Sequence, residues 1–345
     1  MIFPNRLLLL LFAATMLPGV ANRLAAVDPG GWTNPLVLQR ADPHVLRHTD
    51  GFYYLIATVP EYDRIELRRA PTLAGLSTAE PKTLWRRPAT GPMSGVVWAP
   101  ELHWIDGRWF IYFSGGDAAG PWHSVRLFAL ENAASDPFLG EWRECGWIAT
   151  RWDTFTLDPT TFEHRGVRYL VWTQLEPERQ GTNIYVARMD SPTSLIGEPT
   201  LLSRPEYPWE QRVYWVNEAP AVLVSHGRVF IAYSASATDA NYCMGLLTAS
   251  ADADLLDPKS WTKAPEPVFA SSEANSQFGP GHNSFTTTPD GGTDILVYHA
   301  RNFRDIPGEA LSNPDRHTRA QVLHWTSDGR PDFGEPVADG LCDAR

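Results

Sequence analysis

The sequence predicts an all-β protein, a five-bladed β-propeller, and three observations lead to that fold class. Short segments rich in aromatic and β-branched residues, which strands prefer, recur five times along the chain. Each follows a glycine, the residue that adopts the positive φ of a tight hairpin without steric cost. These glycines are spaced by 56, 59, 61 and 65 residues and are Gly51, Gly107, Gly166, Gly227 and Gly292. Such a period, with about four strands per repeat, is typical of propeller blades.

Each repeat contains at least three strand candidates. The segments before the glycines are HVLRH, ELHWI, TTFEH, AVLVS and SFTTT, and the third segments are RIELRRA, SVRLFAL, NIYVARM, CMGLLTA and RAQVLHW. A fourth strand is predicted in TLWRRP, EWRECGWI, PTLLSRP and PEPVFAS. No segment shows a sustained apolar stripe with a period of 3.6 residues, so we expect little helix.

Composition excludes one class of function. The 345 residues include 43% hydrophobic residues and carry a formal net charge of -11, the balance of an acidic globular protein. Nucleic-acid binding is excluded because phosphate recognition needs a basic face. The many aromatic residues have two interpretations, which are packing in a β core and stacking on the apolar faces of sugars. Three cysteines, widely spaced, allow at most one disulfide and lack the spacing of a metal site.

The first residues have the pattern of a secretory signal peptide. Arg6 precedes an apolar stretch from Leu7 to Met16, and Pro18 and small residues follow. The stretch is shorter than the ~20 residues that a transmembrane helix needs. We predict a signal peptide over 1–21, with cleavage between 21 and 26, and a single propeller domain over 34–345. The protein is expected to be secreted or periplasmic, without membrane association once the signal is removed.

Acidic residues beside prolines recur where the first strand of a blade begins. These segments are Ala41-Asp42-Pro43, Ala99-Pro100-Glu101, Asp158-Pro159 and Glu218-Ala219-Pro220, and the fifth blade has His282-Asn283 instead. A proline at this position loses no ladder hydrogen bond and fixes φ. A turn cap explains a single Asp-Pro. Recurrence in register favours chemistry, because first strands line the axis of a propeller and bring Asp42, Asp158 and Glu218 together.

Three converging carboxylates repel one another and shift one another's pKa values. Glycoside hydrolysis uses such a set: one protonated carboxyl group donates to the leaving oxygen, and one ionised group activates water. The third carboxylate can raise the pKa of the acid and orient it.

These motifs make the chain similar to family 43 of the glycoside hydrolases, over a range from about Asn34 to the C-terminus. The motifs that carry the resemblance are RADPHV, VWAPELHW, TLDPTTF, VNEAPAVL and GPGHNSF, in the order of the family. The resemblance implies a five-bladed propeller and an inverting mechanism on arabinose- or xylose-containing polysaccharides. It also implies that Asp42 is the general base, Asp158 the pKa modulator and Glu218 the general acid.

Within the family, the stretch VPEYDRIELRRAPTLAGL together with RADPHV most resembles the exo-acting α-L-arabinofuranosidases. The expected partner is therefore an arabinose-containing plant polysaccharide or oligosaccharide, from which terminal L-arabinofuranose is released. A β-xylosidase or endo-arabinanase on the same scaffold is the first alternative. A non-catalytic carbohydrate-binding propeller is the second, although it would lack one of the carboxylates. The segments 117–123 and 302–319 could form a wall on one side, which favours the exo enzyme.

Four further residues are candidates for substrate binding. Trp98 and Phe155 precede the motifs of blades two and three and could stack on the sugar, with core packing as the alternative. By resemblance, His282 would contact the sugar or bind a calcium-like ion in the channel, directly or through water; no cofactor is expected to be required. Arg301, also by resemblance, would contact a sugar hydroxyl and the carboxylates, with a surface ion pair as the alternative.

Overall fold

The computed structural model describes residues 31–343, and strands dominate this range. The predicted signal peptide lies outside the described residues. Helix is confined to the four-residue α-helix Pro121–Ser124 and the 3-10 turns Ala74–Ser77, Pro208–Glu210 and Pro258–Ser260, within the range given. Little helix was predicted, and this is confirmed. No helix in residues 31–343 has the length and apolar character needed to cross a membrane.

Four blades are antiparallel sheets of four strands, each in sequence order. Blade one consists of Ala41–Arg47, Tyr53–Thr58, Arg64–Ala70 and Lys82–Arg86. Blade two consists of Val96–Ile105, Arg108–Gly116, Arg126–Asn132 and Arg143–Trp147. Blade three consists of Thr156–His164, Val167–Leu175, Thr182–Ser191 and Ser194–Ser203. Blade four consists of Asn217–Ser225, Arg228–Ala235, Cys243–Ser250 and Thr262–Lys263.

Blade five has three strands, and the two ends of the described chain close its outer edge. Its strands are Phe278–Thr287, Asp294–Arg301 and His317–Val322, and short strands at His324–Trp325 and Pro331–Asp332 form a separate pair. The strand Gly31–Asn34 pairs with Gly340–Asp343. The Asn34 side chain accepts the Ala320 N–H at 3.0 Å and donates to the Ala320 carbonyl at 2.7 Å, as a neighbouring strand would. These contacts protect an edge that would otherwise present unpaired backbone groups.

Apolar clusters fill the junctions between neighbouring blades. In blade one, Tyr53 and Leu55 pack toward blade five, whereas Tyr54 and Ile56 pack toward blade two. Successive side chains of a strand point to opposite faces, and both faces of each sheet are covered. This explains why the second strands are continuous apolar runs. Each large side chain buried in this way stabilises the fold by about 1.5–3 kcal/mol. Packing is thus the role of most aromatic residues.

The first strand of every blade contains the same irregularity, a break in pairing at a residue with positive φ. The five residues have φ between 44° and 54° and are Asp42, Ala99, Asp158, Ala219 and His282. The pairing register shifts at each of them. β-Bulges re-aim side chains, and positive φ in residues other than glycine concentrates at functional sites. When the blades are aligned at this bulge, Ala219 occupies the position equivalent to Asp42 and Asp158. Glu218 lies one residue before that position.

Candidate active site

Asp42 lies at the inner end of blade one, with positively charged side chains around its carboxylate. Its Oδ1 is 3.2 Å from both His282 Nδ1 and the Arg316 guanidinium. Its backbone N–H donates to His299 Nδ1 at 3.1 Å. Burial alone would raise the pKa of Asp42, but His282 and Arg316 outweigh burial and hold that pKa well below its usual range. This carboxylate is therefore ionised at neutral pH.

His282 occupies the bulge position of blade five, and its ring faces the Asp42 carboxylate. Burial opposes the charged form of its ring, but the carboxylates of Asp42 and Asp158 raise its pKa to about 9. The ring is therefore an imidazolium at neutral pH. A metal ligand must instead be a neutral imidazole. The charged ring can donate hydrogen bonds to substrate hydroxyls, and the contact of His282 with an ion, directly or through water, stays a prediction.

Asp158 and Glu218 lie together on the other side of the channel, in blades three and four. Asp158 Oδ2 accepts the backbone N–H of Ala219 at 3.0 Å, directly beside Glu218. The Tyr242 hydroxyl donates to Glu218 Oε1 at 2.7 Å. Burial is the largest influence on both carboxyl groups and raises both pKa values, and repulsion among the three carboxylates adds to it. Glu218 remains partly exposed, so its proton can reach a bound molecule.

Tyr242 can reach Glu218 because a neighbouring residue lacks a side chain. Gly281, in the first strand of blade five, lies under the Tyr242 ring, and a Cβ at Gly281 would be 2.5 Å from a ring carbon. The glycine in GPGHNSF is therefore required by this close approach. Tyr242 was not among the predicted site residues.

Two buried arginines lie near the site, and they make different contacts. Arg301, predicted to contact the carboxylates, donates to the carbonyls of Thr238 at 2.8 Å and Ala310 at 2.5 Å. The guanidinium that reaches Asp42 is that of Arg316, which also donates to the Tyr62 hydroxyl at 3.3 Å. Arg301 thus holds the chain around residue 310, while Arg316 contacts the carboxylate itself.

Aromatic side chains form a wall over blades two and three. The ring of Trp98 lies 5.9 Å from that of Tyr62 and 5.7 Å from that of Trp122, and Phe155 lies 6.3 Å from Trp122. Leu311, from the long segment between the second and third strands of blade five, packs against this group. Trp98 Nε1 is buried and has no hydrogen-bond partner within residues 31–343. The predicted binding residues Trp98 and Phe155 therefore share one surface.

Glu101, the fourth acidic residue of the repeated motif, does not join the other three. It lies two residues beyond the bulge position Ala99, and its Oε2 is 2.8 Å from His103 Nε2. His44 Nε2 lies 4.0 Å from the same oxygen. These three side chains form a separate cluster in the inner strands of blades one and two.

The arrangement combines an ionised carboxylate, Asp42, with two carboxyl groups whose pKa values are raised, and of these two Glu218 is partly accessible. Asp42 can accept a proton from water, and Glu218 can donate one to a leaving oxygen. This is the chemical equipment of acid–base hydrolysis of a glycosidic bond.

Comparisons with known proteins agree with this chemistry. The profile of Glycosyl hydrolases family 43 matches residues 32–331. The chain is 53% identical over 327 residues to the extracellular exo-alpha-(1->5)-L-arabinofuranosidase of Streptomyces avermitilis, covering 94% of this chain and 68% of that protein. It is 52% identical over 332 residues to alpha-L-arabinofuranosidase 43 of Humicola insolens, covering 95% and 69%. The crystal structure of alpha-L-arabinofuranosidase from Lactobacillus brevis has a TM-score of 0.86 and 52% identity, covering 89% of this chain and 98% of that one.

Proposed function

The chain belongs to family 43 of the glycosyl hydrolases, and from that premise we propose that it is a secreted exo-α-L-arabinofuranosidase acting by inversion. The proposal depends on one observation: two carboxyl groups on opposite sides of one channel have pKa values shifted in opposite directions. Asp42 is held ionised by His282 and Arg316, whereas the pKa of Glu218 is raised. An inverting glycosidase needs one ionised base and one protonated acid on opposite sides of the sugar.

In the proposed reaction, Asp42 takes a proton from a water molecule as the water oxygen bonds to C1 of the terminal arabinofuranose. The bond from C1 to the glycosidic oxygen breaks, and Glu218 gives its proton to that oxygen. Asp158 holds the backbone beside Glu218 through the Ala219 N–H. Glu218 raises the pKa of Asp158 by repulsion, and because such repulsion is reciprocal, Asp158 in turn disfavours ionisation of Glu218. The sugar leaves with inverted configuration, and one water is consumed for each bond cleaved.

Two observations support arabinofuranose at the end of a chain as the substrate. The relatives from Streptomyces avermitilis and Humicola insolens are both named as arabinofuranosidases. The segment between the second and third strands of blade five also crosses toward blade one, where the Tyr62 hydroxyl donates to the Leu311 carbonyl at 2.5 Å. A segment fixed there narrows the site on one side, as a pocket for a chain end requires.

The channel ion that the resemblance places at His282 is not assigned a role in this proposal. Because calcium prefers oxygen ligands, an ion near His282 would be held mostly by water. The proposed steps therefore use the protein's side chains alone, with His282 holding Asp42 in its ionised form.

Product analysis tests the proposal. The enzyme is incubated with debranched arabinan, arabinoxylan and xylo-oligosaccharides, and the products are separated by anion-exchange chromatography. We expect arabinose alone from the linear arabinan, with the inverted anomer appearing first in proton NMR spectra. Xylose from xylo-oligosaccharides would indicate a β-xylosidase, and a ladder of arabino-oligosaccharides an endo-arabinanase. No product from any substrate, with binding retained, would indicate a carbohydrate-binding propeller.

A further inference from the structure

The blades that carry the acid and the base determine over which part of the propeller the leaving group departs. Water attacks from the side of the base, and the leaving group departs from the opposite face of the sugar. Asp42 is in blade one, and in a closed ring of five the blades opposite it are three and four. Glu218 is in blade four. The leaving group therefore passes over the junction between blades three and four.

This junction carries exposed large side chains. Val213, Tyr214 and Trp215 are 67%, 63% and 41% exposed, and the first strand of blade four begins two residues later, at Asn217. The Trp215 carbonyl accepts the N–H of Thr182 from blade three at 3.1 Å. The segment thus bridges the two blades at the end of the channel where Glu218 lies. Contiguous exposed apolar side chains commonly mark a binding surface.

Hydrogen bonds of the neighbouring backbone hold the exposed segment 213–215 in place. Fully buried Glu210 accepts the backbone N–H groups of Glu206 at 2.7 Å and Tyr207 at 2.9 Å. Further along, the Arg212 N–H donates to Ser236 Oγ at 3.0 Å. These contacts fix the N-terminal flank of the segment, and the Val216 N–H, which donates to the Glu210 carbonyl at 3.2 Å, fixes the other flank. The aromatic side chains are therefore presented on an ordered backbone.

Two local features show how tightly the segment is constrained. Val213 has φ of 68°, a conformation that a β-branched residue rarely adopts. A Cβ at Gly181 would lie 2.5 Å from the Trp215 carbonyl oxygen, so glycine permits the close approach of blade three. Backbone strain of this kind concentrates at active sites and ligand-binding sites. A fixed platform also loses little entropy when a ligand binds.

We infer that Tyr214 and Trp215 bind the sugar on the leaving-group side of the cleaved bond, which is the penultimate arabinofuranosyl unit of a linear chain. The inference rests on the proposed function, because that function places the acid in blade four. The aromatic faces stack on the apolar face of this sugar and select chains over isolated arabinosides. Trp122, 58% exposed, lies beside Trp98 over blades two and three, so it flanks the terminal sugar instead.

The test compares two substrates that share the terminal sugar. In α-1,5-arabinotriose the leaving group is long enough to reach Trp215, and in methyl α-L-arabinofuranoside it is not. We expect Trp215→Ala to lower the ratio of kcat/KM for arabinotriose to kcat/KM for the methyl glycoside by about tenfold, the size of one lost aromatic stacking contact. Trp215→Phe, which keeps an aromatic face, should restore most of the ratio.

Trp147→Ala is the matched control, because Trp147 is 51% exposed on the outer strand of blade two, away from the channel. It should leave the ratio and both kcat/KM values unchanged. Equal losses on both substrates in Trp215→Ala would overturn the inference and indicate that the segment only positions Glu218. An unchanged ratio would overturn it as well. A wild-type enzyme inactive on both substrates would instead contradict the proposed function.

Discussion

The two sides of the channel surround the same chemical group with opposite environments. On the side of blades five and one, the carboxylate of Asp42 faces His282 and Arg316, each 3.2 Å away. On the side of blades three and four, the hydrogen-bond donors to Glu218 and Asp158 among residues 31–343 are neutral, the Tyr242 hydroxyl and the Ala219 N–H, and the charge of His282 does not outweigh burial there. Burial disfavours the charged form on both sides. The pKa of Asp42 is nevertheless lowered, and those of Asp158 and Glu218 are raised.

This difference shows how a repeated fold can produce two roles from one residue type. The bulge brings Asp42 and Asp158 to the channel from equivalent positions in their blades, so the repeat does not distinguish these two carboxylates. Their neighbours distinguish them, since within residues 31–343 the cations that contact Asp42 are His282 of blade five and Arg316 of the segment that follows the second strand of that blade. Pairs of titratable groups whose surroundings move their pKa values apart are the usual basis of acid and base assignments.

The largest expected effect comes from neutralising either of the two opposed groups. Asp42→Asn and Glu218→Gln should each lower kcat on arabinotriose by about 10³-fold, within the range for loss of a general acid or base. With 2,4-dinitrophenyl α-L-arabinofuranoside the two variants should separate. This leaving group needs no proton, so Glu218→Gln should recover most of its activity and Asp42→Asn should not.

Circular dichroism provides the control for both variants, because each substitution is nearly isosteric and should leave the spectrum unchanged. Recovery of Asp42→Asn on the activated substrate, or failure of Glu218→Gln to recover, would reverse the assignment of acid and base.

An intermediate effect is expected at Asp158, which shares the acidic side of the channel with Glu218. Glu218 raises the pKa of Asp158 by repulsion, and such repulsion between two titrating groups is reciprocal, so Asp158→Asn should lower the raised pKa of Glu218. The acid then loses its proton at lower pH, and the alkaline limb of kcat/KM should move down by about one pH unit. The pH profile on arabinotriose measures the shift. An alkaline limb that stays in place or moves up would exclude Asp158 as the modulator of Glu218.

Sequence patterns predicted the parts of the molecule that repeat. The glycine-linked strands gave the five blades, and the acidic residues beside prolines identified three carboxylates that the structure brings to one channel. Glu101 has the same pattern but lies beyond the bulge, where its side chain turns to His103. A shift of one or two residues at a bulge redirects a side chain, and such a shift is not visible in the composition of the motif.

Two partners of the carboxylates, Arg316 and Tyr242, were not revealed by the sequence, whereas His282 was. Arg316 comes from an irregular segment, and Tyr242 precedes the third strand of blade four, so neither has a position fixed by the repeat. Arg301 ends a regular strand and was predicted in the site by resemblance. Contacts between elements far apart in sequence depend on loop paths, and no periodicity encodes a loop path.

The smallest expected effect distinguishes Arg316 from Arg301 and tests the cations beside Asp42 directly. Arg316→Met removes one of the cations that hold Asp42 ionised, so the pKa of Asp42 should rise toward its ordinary value. A depressed carboxylate pKa keeps the base active down to low pH. The acidic limb of kcat/KM should therefore move up by about one pH unit, with only a severalfold loss of activity at neutral pH.

Arg301→Met is the matched variant, because Arg301 is equally buried but donates to the carbonyls of Thr238 and Ala310. Its removal leaves those acceptors without a partner and should destabilise the protein by about 1–3 kcal/mol, measured as a lower Tm. The acidic limb should stay where it is in the wild type. If Arg301→Met moved that limb as far as Arg316→Met, the shift would come from general loosening of blade five, and the direct contact of Arg316 with Asp42 would not explain the low pKa of the base.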